Sequence, residues 1–472
     1  MVLFIILFLA FFFYKESLLY YFISDDFISL SNKKNLLDLF RVDPLNNHYT
    51  PVNGIINLSL YKIFGANPLP FHLFAILVHL LNIYLVYRLA KIFINDKIKS
   101  ILATLLFAFF FANYEVVYWF GATNNSLMVT FYLIALLSLI KYVKKKKILS
   151  CLLFQASFVI AFFTHEYAIS LIPVGIIYWF LFTKAKNPKE FIKLFLLPII
   201  VFLGTTVLKI FFVKMPLLVR VPSLLKFFAF SLRSFVYLFL PNLYLVDKIP
   251  NLFIPIIFLV ILVFLFRLTK NKRTLFLLIW ATTTIFVYSL TSAPQARYFY
   301  LSFIPVIIYI LSVVNIGKAK IPPAKRDGIK LFLPKSNTIF YLLFILISGL
   351  VFLQNQKYYW QLNSEITKNV IKDMKKYQST IKKTDVLYFV NLPDSSNDSI
   401  WKAYVFRAGF KELLNNFVNI YTKKIVYLTS FQSTLHTIEA PYVKPNKLKL
   451  LSKENSVVFV YQEDLKTVVL VK

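Results

Sequence analysis

The sequence predicts an α-helical polytopic membrane protein of about eleven spans, followed by a small C-terminal extracytoplasmic α/β domain. Three observations predict it. The 472 residues are 58% hydrophobic and 16% charged, with mean hydropathy +0.68; a soluble domain averages about 45–50% and about 25%. The apolar residues gather into runs near the ~20 residues that a bilayer span needs. The basic residues, 53 Lys and Arg against 21 Asp and Glu for a net charge of +32, alternate from loop to loop. High hydropathy also excludes intrinsic disorder.

The expected spans are roughly 1–23, 69–90, 100–113, 121–140, 148–163, 167–183, 191–213, 251–267, 274–291, 298–315 and 337–354. Residues 1–23 lack a basic n-region and an A-x-A cleavage site, so they read as an uncleaved anchor. Lys15 and Glu16 are adjacent there and do not face each other on a helix; each needs another partner or the interface. The stretch 223–241 carries Lys226 and Arg233 and reads as an interfacial or re-entrant helix. The first outer loop, 24–68, holds two amphipathic segments, 27–40 and 51–64, around His48-Tyr49-Thr50-Pro51. These are expected to lie on the membrane and roof a cavity.

Basic residues cluster in the loops 88–99, 141–147, 184–193, 267–273 and 318–335. The loops 114–120 and 164–166 between them hold none, and 292–297 holds only Arg297. The positive-inside rule places the first set and the N-terminus in the cytoplasm, with 24–68, 214–250 and 355–472 outside. A nucleic-acid binder would instead collect its charge on one face or stripe. The chain thus divides into a membrane domain, 1–354, and a soluble outer domain, 355–472. In the outer domain, 386–390, 425–428, 456–461 and 467–471 read as strands and 400–417 as a helix. Its 18 basic residues against 10 acidic ones carry +8 of the charge, which topology does not explain.

Several chemistries are excluded. A single cysteine, Cys151, permits no intrachain disulfide and no cysteine metal cluster. Nine glycines form no GxGxxG, GxxxxGK[ST] or GxSxG motif. The 52 Phe and 29 Tyr read as lipid-facing or core side chains.

The scarce acids are more informative. Asp25, Asp26, Asp38, Asp43, Glu115, Glu166 and Asp247 fall on the outer side. Asp25 and Asp26 sit where the first span meets the outer loop. Adjacent carboxylates repel, which raises one pKa and suits a general base; the other reading is that Asp26 caps a helix starting at Phe27. Arg297, at the outer end of a span, suits bidentate phosphate binding or a snorkelling anchor. Thr164-His165-Glu166-Tyr167 is not HExxH, since position 169 is Ile. His165 and Glu166 read as a metal ligand pair, as partners supporting a site, or as a polar patch at a span end. His72 and His79, seven apart, read as buried, hydrogen-bonded histidines.

Over roughly 20–310, the motifs together resemble the C-type (GT-C) superfamily of multi-pass glycosyltransferases. The nearest branches are the bacterial protein O-mannosyltransferase-like and lipid A aminoarabinose transferase-like proteins. Asp25-Asp26 resembles the acidic motif of the family's first outer loop. His48-Tyr49-Thr50-Pro51, Leu69-Pro70-Phe71-His72 and His79 resemble the approach to the second span, and Trp119-Phe120-Gly121-Ala122 to Asn125-Ser126 the turn after the third. Thr164-His165-Glu166-Tyr167-Ala168 with Pro173 resembles the Lys-Glu motif, with His165 in place of Lys, and Arg297-Tyr298 the late Arg-Tyr pair.

The resemblance implies a plasma-membrane hexosyl- or pentosyltransferase with a polyprenyl-phosphate sugar donor and a lipid, glycan or protein acceptor. It implies Asp25 or Asp26 as base in an inverting displacement, with Arg297 on the donor phosphate. Glu115, Glu166, His165 and His48 would bind the acceptor or a divalent cation. No nucleic acid is expected. The rival reading is a transporter or flippase of lipid-linked saccharides, but most acids lie at outer boundaries and no repeat is evident. A third reading is an inactive scaffold whose outer domain binds a partner.

Overall fold

The computed structural model describes all residues except 32–34, 42–47, 185, 213–222, 239–248, 251–252, 270, 291–293, 315–334, 383–384, 398–400, 431–432, 452–454 and 472. Asp43, Asp247 and most of the basic loop 318–335 therefore lie outside the described residues.

Each expected span carries a helix: Val2–Tyr14, Pro68–Ile94, Lys97–Ala108, Thr123–Lys145, Ile148–Thr164, Leu171–Phe182, Pro188–Phe212, Ile254–Arg267, Lys272–Ser289, Ala296–Val313 and the first half of Lys335–Lys376. The stretch 223–241 carries Leu224–Tyr237. Among the described residues, 5 helical stretches are long and apolar enough to cross a membrane: Val2–Leu19, Pro68–Ile94, Phe120–Lys145, Pro188–Phe212 and Ala296–Val313. Ile148–Thr164, Glu166–Phe182 and Ile254–Arg267 are apolar but shorter. These helices by themselves do not confirm eleven full crossings. Lys97–Ala108, for example, has 12 residues, a rise of about 18 Å against a hydrocarbon core of ~30 Å. Phe4, Ile200, Phe211 and Val260 are each more than half exposed on helices that carry little charge. Such surfaces are stable in lipid, not in water. The fold is that of an α-helical polytopic membrane protein.

Local chemistry sets the helix ends. Asn67 caps Pro68–Ile94 by accepting from the Leu69 amide at 3.2 Å. That helix stops at Asn95, whose φ of 55° is left-handed. Asp96 then caps Lys97–Ala108, accepting from the Lys99 amide at 3.0 Å. Asn271 and Thr274 form a reciprocal capping box for Lys272–Ser289.

Inside the bundle a buried polar network joins five segments. The His79 Nε2–H donates to the Ala108 carbonyl at 3.3 Å. Because a carbonyl only accepts, Nδ1 is the bare nitrogen and takes the Tyr300 hydroxyl at 2.7 Å. Asn82 donates to the Ser126 carbonyl (2.7 Å) and to Tyr300 (3.2 Å), and accepts from Thr130 (2.8 Å). Tyr14 donates to the same Ala108 carbonyl at 3.1 Å. Such a network, fully paired, fixes one arrangement of helices. It holds Ala296–Val313 one turn in from its N-terminal end.

The paired-histidine expectation is half corrected. His79 is hydrogen-bonded as expected, but neither ring nitrogen of buried His72 has a partner among the described residues. Its neighbours are rings such as Tyr20, 6.2 Å away between centroids. Glu16 finds its partner outside its own helix, in an ion pair with Lys357.

The C-terminal portion contains β1 (Val386–Val390), β2 (Pro393–Ser395), β3 (Lys424–Leu428), β4 (His436–Thr437), β5 (Ser456–Gln462) and β6 (Thr467–Leu470). The main sheet has order β3-β1-β5-β6. β1 runs parallel to β3 and β5, and β6 is antiparallel to β5. The expected helix over 400–417 is corrected to Phe410–Phe417 alone; residues 401–409 form an irregular segment packed on the turn at Ser24. Lys335–Lys376, 42 residues long, passes unbroken through residue 354, and its C-terminal half packs under the sheet through Ile366, Val370 and Met374.

Candidate active site

The site begins at a short extended run. After Tyr20 the chain straightens, then turns at Ser24 and starts the helix Asp26–Ser31. Ser24 has φ of 46°, the left-handed region. This turn is held from both sides. The Ser24 amide donates to the Val405 carbonyl at 2.8 Å. The Asp26 carboxylate accepts from the Ile23 amide at 3.0 Å and the Gly121 amide at 2.6 Å. Asp26 therefore ties its turn to the Trp119-Phe120-Gly121 bend rather than capping its own helix. Glycine is required at 121: a Cβ there would lie 2.8 Å from Trp119 Nε1 and 3.0 Å from Asp26 Oδ1.

The two acids are distinct. Asp26 is wholly buried. Burial pushes its carboxyl up to about 8, against the pull of the Ile23 and Gly121 amides and with a further push from Asp25. Asp25 is partly exposed and, among the described residues, its carboxylate accepts no backbone amide. Burial also raises its pKa, while Arg297 and Arg407 pull the other way.

Arg297 lies on the first turn of Ala296–Val313 and is paired with Glu115 on the short helix Asn113–Tyr118. The Glu115 carboxylate takes the Arg297 guanidinium with one oxygen and the Arg297 backbone amide, at 2.7 Å, with the other. Gln295 supplies no side-chain cap to this helix, so Glu115 satisfies an amide that the helix leaves open. The guanidinium also stacks over Trp119 (5.4 Å) and Tyr298 (5.1 Å).

A third group stands alongside. One Glu166 oxygen accepts from Lys209 at 2.7 Å and from the Tyr49 amide at 2.9 Å. The other faces His48 at 3.1 Å and His165 at 3.9 Å. Burial drives the His165 pKa down to about 3, with Arg297, His48 and Lys209 adding to that effect and Glu166 opposing it. The imidazole is neutral at pH 7 and able to act as a ligand. His48, His165 and Glu166 offer ligand atoms within 4.8 Å of one another. Two imidazoles and one carboxylate are a donor set suited to a transition metal, although the Lys209 ammonium already meets part of the Glu166 charge.

All the expected site residues thus converge on one region: Asp25 and Asp26, then Arg297 with Glu115, then His48, His165 and Glu166. Lys209, Tyr404 and Arg407 join them without having been singled out as site residues. Lys209 interrupts the apolar stretch that follows Lys193 in its helix, a signal that a buried acid stands at its depth. Arg407 is the single arginine among the 18 basic residues of 355–472.

Residues 50–208, about a third of the chain, match the family model described as dolichyl-phosphate-mannose-protein mannosyltransferase. The match includes Glu115, His165 and Glu166. A comparison with curated proteins gives no significant match. Among solved structures the chain is similar to ArnT from Cupriavidus metallidurans bound to undecaprenyl phosphate, with TM-score 0.49 and 13% identity over 98% of this chain and 93% of that one.

Proposed function

We propose that this protein is a membrane glycosyltransferase that moves a sugar from a polyprenyl-phosphate-linked donor to an acceptor hydroxyl at the extracytoplasmic face. The observation that carries the reading is the placement of Asp25, an acid with a raised pKa and no amide on its carboxylate, beside the Arg297–Glu115 pair at the outer ends of the helices. The family match over 50–208 supports the reaction class.

In this reading the acceptor oxygen attacks the anomeric carbon as the bond from that carbon to the phosphate oxygen breaks. The hydroxyl proton passes to Asp25. The polyprenyl phosphate leaves as an anion next to Arg297, which Glu115 and the Trp119 and Tyr298 rings hold in place. One displacement inverts the anomeric centre. Asp26 positions the turn through its two amide hydrogen bonds. Glu166, His165 and His48 bind the acceptor or a divalent cation that would orient it. The Lys-rich loops face the cytoplasm, and residues 355–472 lie outside with the site.

The test replaces Asp25 and Asp26 separately by Asn and measures sugar transfer from a polyprenyl-phosphate donor in membranes. Asp25→Asn is expected to lose about 10²- to 10⁴-fold, the range for a general base. Full activity in Asp25→Asn removes the base assignment.

A further inference from the structure

Arg407 stands on the segment 401–409, which lies directly on the acid-bearing turn. The Ser24 amide bonds the Val405 carbonyl at 2.8 Å, and Gly409 packs against the Ser24 carbonyl so closely that a Cβ would come within 2.4 Å of it. The Arg407 guanidinium lies over the Tyr404 ring at 4.5 Å. Tyr404 in turn meets Trp119, with centroids 6.2 Å apart, and Trp119 carries Arg297 on its ring. Two guanidiniums therefore bracket a Tyr–Trp pair beside Asp25.

They are not equivalent. Arg297 is mostly buried and its charge is met by Glu115. Arg407 is exposed and, among the described residues, has no carboxylate within 4.0 Å. At longer range it acts on Asp25, Asp394 and Tyr404. Stacking on Tyr404 orients its planar fork without using up its N–H donors, the preparation that bidentate phosphate binding requires.

We propose that Arg407 binds the phosphate of the lipid donor across the Tyr404–Trp119 pair from Arg297, so that the C-terminal portion supplies part of the donor site. This rests on the transferase reading above. The leaving phosphate gains negative charge as the glycosidic bond breaks, and Arg407 is a cation there that, among the described residues, no carboxylate meets within 4.0 Å.

The test uses the purified full-length protein in detergent and polyprenyl phosphate, the product common to every donor of this class, as probe. Direct binding is measured for wild type, Arg407→Ala and Arg407→Lys, with polyprenol and inorganic phosphate as the other arms. Arg407→Ala is expected to weaken polyprenyl phosphate binding about tenfold, in line with loss of a hydrogen bond to a charged group. Arg407→Lys recovers part of this, and polyprenol binds both proteins alike. Equal affinity of wild type and Arg407→Ala for polyprenyl phosphate overturns the assignment. So does an equal loss for polyprenol, which marks a merely structural role. Arg407-dependent binding of inorganic phosphate as tight as that of the lipid moves the site to a soluble phosphate and also overturns it. Wild type that binds no polyprenyl phosphate overturns the transferase reading itself, and this inference with it.

Discussion

Replacing Gly409 by Ala would test whether the segment 401–409 has to dock on the acid-bearing turn. Gly409 has φ of 76°, and a Cβ there would lie 2.4 Å from the Ser24 carbonyl oxygen and 3.2 Å from the Phe27 Cβ. The left-handed conformation alone costs a residue other than glycine about 1–2 kcal/mol. The clash is with backbone, so no rotamer relieves it and the two segments have to part. The Ser24–Val405 hydrogen bond at 2.8 Å is the first to go, at about 0.5–1.5 kcal/mol. Together these give about 1.5–3.5 kcal/mol, a shift of roughly 10- to 300-fold from docked to undocked. Gly204→Ala is the control, since nothing lies within 4 Å of its added Cβ. Both variants are expected to insert into the membrane normally. Limited proteolysis should cut the 401–409 segment of Gly409→Ala faster than that of wild type, and sugar transfer should fall with it. Wild-type protease resistance together with wild-type transfer in Gly409→Ala would refute the reasoning.

Three further outcomes are expected. Glu115→Gln leaves Arg297 buried without its carboxylate, a change that costs about 3–5 kcal/mol for a buried pair; both the thermal unfolding midpoint and transfer should drop, and an unchanged midpoint would count against the pairing. The pKa of Asp25 is raised, so its protonated, inactive form persists above the usual carboxylate range; kcat/KM should rise with pH through that raised value, and a profile flat down to pH ~4 would contradict a base at this position. The Lys209–Glu166 pair is mostly buried, at 17% and 19% side-chain exposure. A double-mutant cycle of Lys209→Met and Glu166→Gln, read by thermal unfolding, should give a coupling of about 1–3 kcal/mol, and additive effects would show the two to be independent.

Much of the membrane architecture could be read in advance because lipid imposes simple rules. Apolar runs and alternating lysine clusters mark helices and loops without knowledge of packing, and Pro51–Phe64 and Val386–Val390 form where their patterns require. The crossing count was harder. Phe109 to Ala112 break what reads as a single apolar run, and apolarity alone does not reveal the break. The 400–417 pattern overran because helical spacing says nothing of the docking that holds 401–409 in an irregular path. Asp25, Glu115, Glu166 and Arg297 stood out as rare charges in a greasy chain. Arg407 did not, since its meaning comes from Ser24, Tyr404 and Trp119, which lie far from it or carry no charge. His72 and His79 look alike on one helix face, and only the partners opposite them set one apart.

The acid pair lies within the first 26 residues, and the segment that covers it begins at residue 401. During synthesis the carboxylates therefore reach the membrane surface long before their cover exists. A chain released early, at any point before Trp401, would hold the helices and both acids but lack the hydrogen bond at Ser24 and the arginine beside it. In the transferase reading proposed above, the site is therefore complete only when the acid-bearing turn and the 401–409 segment are both in place.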